Sequence, residues 1–180
     1  MARNIEIKAR VASVAVLAQA AQAIADQGPT EITQDDTFFA CPSGRLKLRA
    51  FSRTRGELIY YRRNDERGPK ESFYVRSATA EPDTLREVLA LAYGEVGRVR
   101  KHRTLYLVGR TRIHLDRVEG LGDFLELEVV LREDEPAEAG VREAEELMTR
   151  LGVAATQLID RAYVDLLAHE GGRSGPGASR

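Results

Sequence analysis

The 180-residue sequence contains one cysteine, two methionines and no tryptophan. With Cys41 alone, no disulfide forms within the chain, and the composition suits a reducing compartment. Long hydrophobic runs are also missing. The first ten residues, MARNIEIKAR, hold no apolar leader core, and no stretch reaches membrane-spanning length. The net charge is −1, so no global basic field calls for nucleic acid or a membrane. Aromatic residues make up 6% of the chain and form no basic platform on which bases would stack. No CxxC, HExxH, P-loop or GxGxxG pattern occurs, so a nucleotide site here is not built on a glycine-rich loop. The expectation is a soluble, cytoplasmic protein with no nucleic-acid or membrane partner, a monomer or homodimer. Its length suffices for one domain with a core of its own.

Charge is plentiful but balanced: 31% of residues are Asp, Glu, Lys or Arg. Its arrangement is clearest between Lys101 and Val130, which reads as three consecutive strands. Gly109-Arg110 suits a two-residue hairpin, and Glu119 to Asp123 a looser reversal. Alternation with period two puts Lys101, Arg103, Arg112, His114, Asp116, Glu126 and Glu128 on one face. Ile113, Leu115, Leu125, Leu127 and Val129 take the other. With the turn at Gly109-Arg110, Arg103 sits opposite Asp116 and Leu105 opposite His114.

Upstream, residues 3–10 alternate in the same way, with Asn4, Glu6, Lys8 and Arg10 on one side. Residues 12–26 read as a helix ending near Gly28-Pro29. Strands are expected at 30–39, 45–51, 57–63 and 71–77. The second of these carries Arg45, Lys47 and Arg49 on one face, and the third is assigned Tyr60 and Arg62 on one face. Pro82 and the acidic residues beside it open a helix to about Tyr93. A further helix is expected over 134–151, and a short one from Tyr163 to Leu167. The domain is expected to span 1–169, with 170–180 a Gly/Ser-rich disordered tail. Eight strands in short antiparallel turns with segregated helices give an α+β class.

Two readings of the charged faces are open. They are the wet side of a half-buried sheet, or they line the inside of a closed barrel. Cations concentrate on some strands and carboxylates on others, which suits a ligand with two needs. Many cationic donors suit polyphosphate, and a carboxylate cluster suits a hard divalent metal. Arg103 opposite Asp116 also has an ordinary reading, a structural cross-strand ion pair. Tyr60 and Tyr74 read mainly as packing residues.

The chain resembles the CYTH superfamily, the triphosphate tunnel metalloenzymes, and within it the class IV adenylyl cyclase branch. The resemblance rests on Asn4-Ile5-Glu6-Ile7-Lys8, DTFF at 36–39, RLKLR at 45–49, Lys101 and Arg103, Arg112-x-His114-x-Asp116, GLGDF at 120–124, and Glu126-x-Glu128, in the family's order. It implies an eight-stranded antiparallel barrel with helices outside and a tunnel that binds a triphosphate with Mg²⁺ or Mn²⁺. By that likeness Arg45, Lys47, Arg49, Arg62, Lys101, Arg103, Arg112 and His114 would grip phosphate. Glu6, Asp116, Glu126 and Glu128 would hold metal. Lys8, Glu6 and Arg62 would serve catalysis. The substrate would be ATP, cyclised to cyclic AMP and pyrophosphate, or thiamine triphosphate or tripolyphosphate, hydrolysed by water. A non-catalytic polyphosphate or nucleotide binding module is the remaining alternative. One departure stands out: Asn4 occupies the position of the signature's first Glu. Its amide oxygen can ligate a hard metal, but it carries no charge and cannot act as a base.

Overall fold

The computed structural model describes residues 2–63 and 68–171. Eight strands close into an antiparallel barrel, β1 (Ala2–Arg10), β2 (Gln27–Phe39), β3 (Arg45–Ser52), β4 (Arg55–Arg63), β5 (Lys70–Thr79), β6 (Glu95–Val108), β7 (Thr111–Val118) and β8 (Gly122–Val130). Around the barrel the order is β1-β5-β4-β3-β2-β6-β7-β8. The expected fold is therefore borne out. The β6–β7 register is also as expected, with Arg103 paired to Asp116 and Leu105 to His114. Gly109 holds that hairpin with φ +54°, a left-handed conformation that costs a glycine little.

The apolar core lies outside the barrel. Ile5, Ile7 and Ala9 of β1, Ile113 and Leu115 of β7, and Leu125, Leu127 and Val129 of β8 point outward and are almost fully buried. They are covered by α1 (Val14–Ile24) and α3 (Ala137–Arg150) through Val14, Ala21, Ala144 and Leu147. Period-two alternation in the strands meets period-3.6 stripes in the helices, which keeps the opposite strand face free for charge. Gly140 permits the closest approach: a Cβ there would lie 2.7 Å from Ile5 Cγ1 and from Leu131 Cδ2. On the other side, α2 (Pro82–Tyr93) packs Leu85 and Leu89 against Phe39, Leu46, Leu48 and Leu58.

Among the boundaries that differ from expectation are three beside the helices. The first helix is shorter because the Val14 N–H donates to Asp123 Oδ2 at 2.8 Å, which fixes its start. Gly28-Pro29 lies within β2 rather than ending the helix. The third helix begins at Ala137, because Glu135 stays outside it as an acceptor for the Arg132 N–H at 3.0 Å and for Arg110. Of the expected tail at 170–180, Glu170 and Gly171 instead belong to the last helix, and the rest, from residue 172 on, lies outside the described residues.

The last segment shapes the site. Residues after α3 cross the barrel end formed by the C-termini of β1 and β7. The Ile159 N–H donates to the Lys8 carbonyl at 2.9 Å, and Leu158 bridges to Ala9. A final helix, α4 (Tyr163–Gly171), follows. Its first residue packs with Phe38, Val99 and Phe124 and closes this end. The interior is thus a tunnel stoppered at one end.

Candidate active site

The interior is a cavity of about 260 Å³ lined by all eight strands and by Ala162 and Tyr163. Its walls are unusual for a protein interior. Lys8, Lys101, Arg103, Asp116, His114 and Glu126 are all buried. Buried charges survive only when paired and hydrogen-bonded, and Lys8, Lys101 and Arg103 are joined through the carboxylates of Asp116 and Glu126. Arg103 donates to Asp116 through Nε at 2.6 Å and Nη2 at 2.7 Å, and Nη2 also donates to Glu126 at 2.9 Å. Lys101 Nζ lies 3.2 Å from Asp116, and Tyr163 donates its hydroxyl to the same carboxylate at 3.0 Å. Lys8 Nζ stands 3.9 Å from both Glu6 and Glu126 and 4.2 Å from the Tyr163 ring centroid. Arg112 pairs with Glu128 at 2.8 Å.

On the opposite wall, Asp36 of β2 accepts from Lys47 at 2.9 Å and from Arg49 twice at 2.7 Å. Lys47 and Arg49 hold the Asp36 carboxyl well below the usual carboxylate range despite its burial.

Glu6, Glu126 and Glu128 present carboxylate oxygens that lie within 4.8 Å of one another. In an octahedral Mg²⁺ shell, ligand oxygens lie roughly 3–4 Å apart, so a small closure of these side chains completes three positions. Two neighbouring polar atoms support that fit. Asn4 Oδ1 and His114 Nδ1 are buried with no hydrogen-bond partner among the described residues, and both residues line the cavity. Three hard oxygen donors with a fourth, neutral one beside them suit Mg²⁺ or Mn²⁺ rather than a soft ion. These residues fit the metal.

A closed antiparallel barrel that hides its charges and turns its apolar faces outward, with these motifs in this order, is matched by the CYTH domain pattern over residues 2–163. The chain belongs to the CYTH family. It is 28% identical over 168 residues to adenylate cyclase CyaB of Aeromonas hydrophila, covering 89% of this chain and 86% of that one. The PH1012 protein of Pyrococcus horikoshii superposes with a TM-score of 0.80 at 24% identity, covering 91% of this chain and 98% of its own. HpAC1 of Hippeastrum, an adenylyl cyclase candidate described by a dominant triphosphatase activity, superposes with a TM-score of 0.65 at 16% identity, covering 98% of each chain. At these identities the structural likenesses establish the fold.

Within this CYTH tunnel, Glu6, Lys8, Lys47, Arg49, Lys101, Arg103, Arg112, His114, Glu126 and Glu128 come together on the lining. Three expected residues do not join them. Arg62 lies outside: β4 lines the tunnel with Glu57, Ile59 and Tyr61, so the even positions Tyr60 and Arg62 face outward, and Arg62 stacks on Phe73. Arg45 shares the phase of Lys47 and Arg49 but sits at the stoppered end, where Asp165 of α4 accepts from it at 3.0 and 2.7 Å. Asp116 is fully buried behind the lining, and its oxygens are engaged by Arg103, Lys101 and Tyr163, so it stands apart from the metal-type cluster. His114 lines the tunnel as expected. Burial, then the Arg103 charge, pushes its pKa down to about 3, so its imidazole is neutral in the unliganded protein. Tyr74 does line the tunnel, with Arg112 Nη2 at 3.5 Å from its hydroxyl. Sequence reasoning missed Asp36, Gln34, Arg76 and the stopper Tyr163.

Burial, then the charge of Arg103, lowers the Lys101 pKa to about 7. An anionic ligand favours the charged amine, so the complex binds this proton more tightly than the free protein does. Affinity therefore falls as pH rises through 7, by up to about tenfold per unit if this one proton is linked. Calorimetry with tripolyphosphate between pH 6 and 9 is expected to show net proton uptake on binding. In Lys101→Met that uptake disappears and the affinity profile flattens above pH 7.

No helix among the described residues is long and apolar enough to cross a membrane.

Proposed function

We propose that this chain is a divalent-metal-dependent enzyme of triphosphates that cyclises ATP to cyclic AMP and pyrophosphate. The observation that carries the reading is the interior itself, with two Lys-x-Arg pairs and Arg112 facing a group of three carboxylates in a stoppered cavity. Charges so deeply buried cost stability compared with an apolar filling, and a polyanion with its metal is the ligand that needs them. The likeness to CyaB of Aeromonas hydrophila supports the cyclase chemistry.

In this reading Lys47, Arg49, Lys101 and Arg103 hold the phosphate chain by charge-assisted hydrogen bonds. Glu6, Glu126 and Glu128 would hold the ion, Mg²⁺ or Mn²⁺, which when bound neutralises charge on phosphate oxygens. Lys8, between Glu6 and Glu126, steers the attacking oxygen. The ribose 3′-hydroxyl gives up its proton to solvent and its oxygen forms a bond to the α-phosphorus as the α–β bridge breaks and pyrophosphate leaves. Most of the rate enhancement then comes from positioning and preorganised charge. The single cysteine and a triphosphate substrate support a cytoplasmic location.

Hydrolysis of thiamine triphosphate or tripolyphosphate is the second reading. It is favoured by Asn4, whose uncharged amide weakens the carboxylate side of the site, and by the shared fold of HpAC1. A product assay separates the two. Cyclic AMP and pyrophosphate from ATP are the expected products. Orthophosphate alone would favour the triphosphatase, and metal-dependent binding of all three compounds without turnover would leave only a binding module.

Asn4 gives a prediction of its own. Asn4→Glu adds a carboxylate where an unpartnered amide oxygen now sits. It is expected to tighten Mn²⁺ binding by about tenfold, as read by paramagnetic resonance. Unchanged affinity would mean that Asn4 does not face the ion.

A further inference from the structure

The tunnel holds the same device twice. On β2, Asp36 engages Lys47 and Arg49 of its neighbour β3; on β7, Asp116 engages Lys101 and Arg103 of its neighbour β6. In each case a buried aspartate faces a Lys-x-Arg pair, and both residues of the pair lie on the cavity wall. Each arginine uses the same edge, Nε and Nη2 together on one carboxylate, at 2.6–2.7 Å. The Nη1 amino groups take no part in these bonds. Such a two-point bond fixes the plane of a guanidinium, which a single contact does not. Arg103 is further tied by Glu126, and Asp116 by the Tyr163 hydroxyl.

We propose that Asp36 and Asp116 are positioning residues. Each locks a Lys-x-Arg pair of the adjacent strand so that the four cations meet a phosphate chain in one fixed arrangement. This rests on the triphosphate reading above. It also removes Asp116 from the metal ligands, consistent with its place behind the lining.

The sign of the effect tests it. Removing a carboxylate from beside phosphate-binding cations should strengthen anion binding if only net charge matters. Loss of a positioning group should weaken it. Tripolyphosphate affinity would be measured by calorimetry with chelator present, on the full chain and on Asp36→Asn and Asp116→Asn. Folding would be checked by circular dichroism. About tenfold weaker binding is expected for each. Affinity within threefold of the unmodified protein, or tighter, would overturn the proposal even if the melting temperature falls, because a merely structural role lowers stability without moving affinity. Mn²⁺ affinity of Asp116→Asn is expected to stay within threefold, and a larger loss would make Asp116 a metal ligand and overturn its assignment. If an Asn variant fails to fold, Asp36→Glu and Asp116→Glu keep the charge but displace it by one methylene. More than threefold weaker binding is again expected, and an unchanged affinity overturns the proposal. Failure of the unmodified protein to bind tripolyphosphate would overturn the triphosphate reading itself, and this inference with it.

Discussion

The double variant Glu126→Gln, Glu128→Gln is expected to lose turnover by about a thousandfold or more while remaining folded. Glutamine keeps the shape of both side chains and removes two of the three charges that face one another across β1 and β8. A hard divalent ion would then be left with Glu6 and neutral oxygens. The variant should therefore lose Mn²⁺ affinity in parallel, by about a hundredfold, as read by paramagnetic resonance on protein whose circular dichroism is unchanged. The pairing of the two losses is the point. Turnover that fell while Mn²⁺ bound as before would place the carboxylates in some role other than holding the ion.

Arg103→Met should be the most destabilising change in the tunnel. Arg103 is buried, and its guanidinium joins two buried carboxylates of the tunnel, Asp116 and Glu126. Methionine nearly fills its volume but leaves Asp116 with Lys101 and Tyr163 as partners, and Glu126 with Lys8 at 3.9 Å. Breaking a buried pair from one side costs about 3–5 kcal/mol, because the remaining charge is left in a poorly polarisable interior. At roughly 2–4 °C per kcal/mol for a chain of this size, thermal unfolding should fall by about 10 °C. Arg103→Met, Asp116→Asn, which removes the stranded charge as well, should recover part of that fall. A melting temperature that drops further in the double variant would show that Asp116 is stabilised without Arg103.

The fold was legible in the sequence because period-two alternation leaves little choice of strand direction once a turn is placed. Gly109 fixed the β6–β7 register, and that register set Arg103 against Asp116. The carboxylates of β1 and β8 were equally plain, since Ile5 and Ile7, like Leu125, Leu127 and Val129, mark the outward face unambiguously.

Legibility failed where a strand is apolar on both faces. In β4, Leu58 faces the α2 side while Ile59 and Tyr61 line the tunnel, so the phase of Arg62 could not be read from alternation and came out reversed. In β2, Asp35 and Asp36 are adjacent. One pairs with Arg98 outside and the other with Arg49 inside, and only the closed barrel tells them apart. Arg45 and Tyr163 depend on where the C-terminal helix docks, a long-range contact that no local pattern encodes. Asp116 shows a different limit. Its residue type and phase are those of a metal ligand, and only its depth and its bond to Arg103 set it apart from the three glutamates.

The central claim is that the charged interior of the barrel is the substrate site. Crystals of the protein grown with Mn²⁺ and a non-hydrolysable ATP analogue test it most directly. The account predicts an anomalous manganese peak among Glu6, Glu126 and Glu128, with the phosphates running along Lys47, Arg49, Lys101 and Arg103. Manganese and nucleotide bound on the outer surface, with the tunnel lined by the same undisturbed ion pairs, would contradict it.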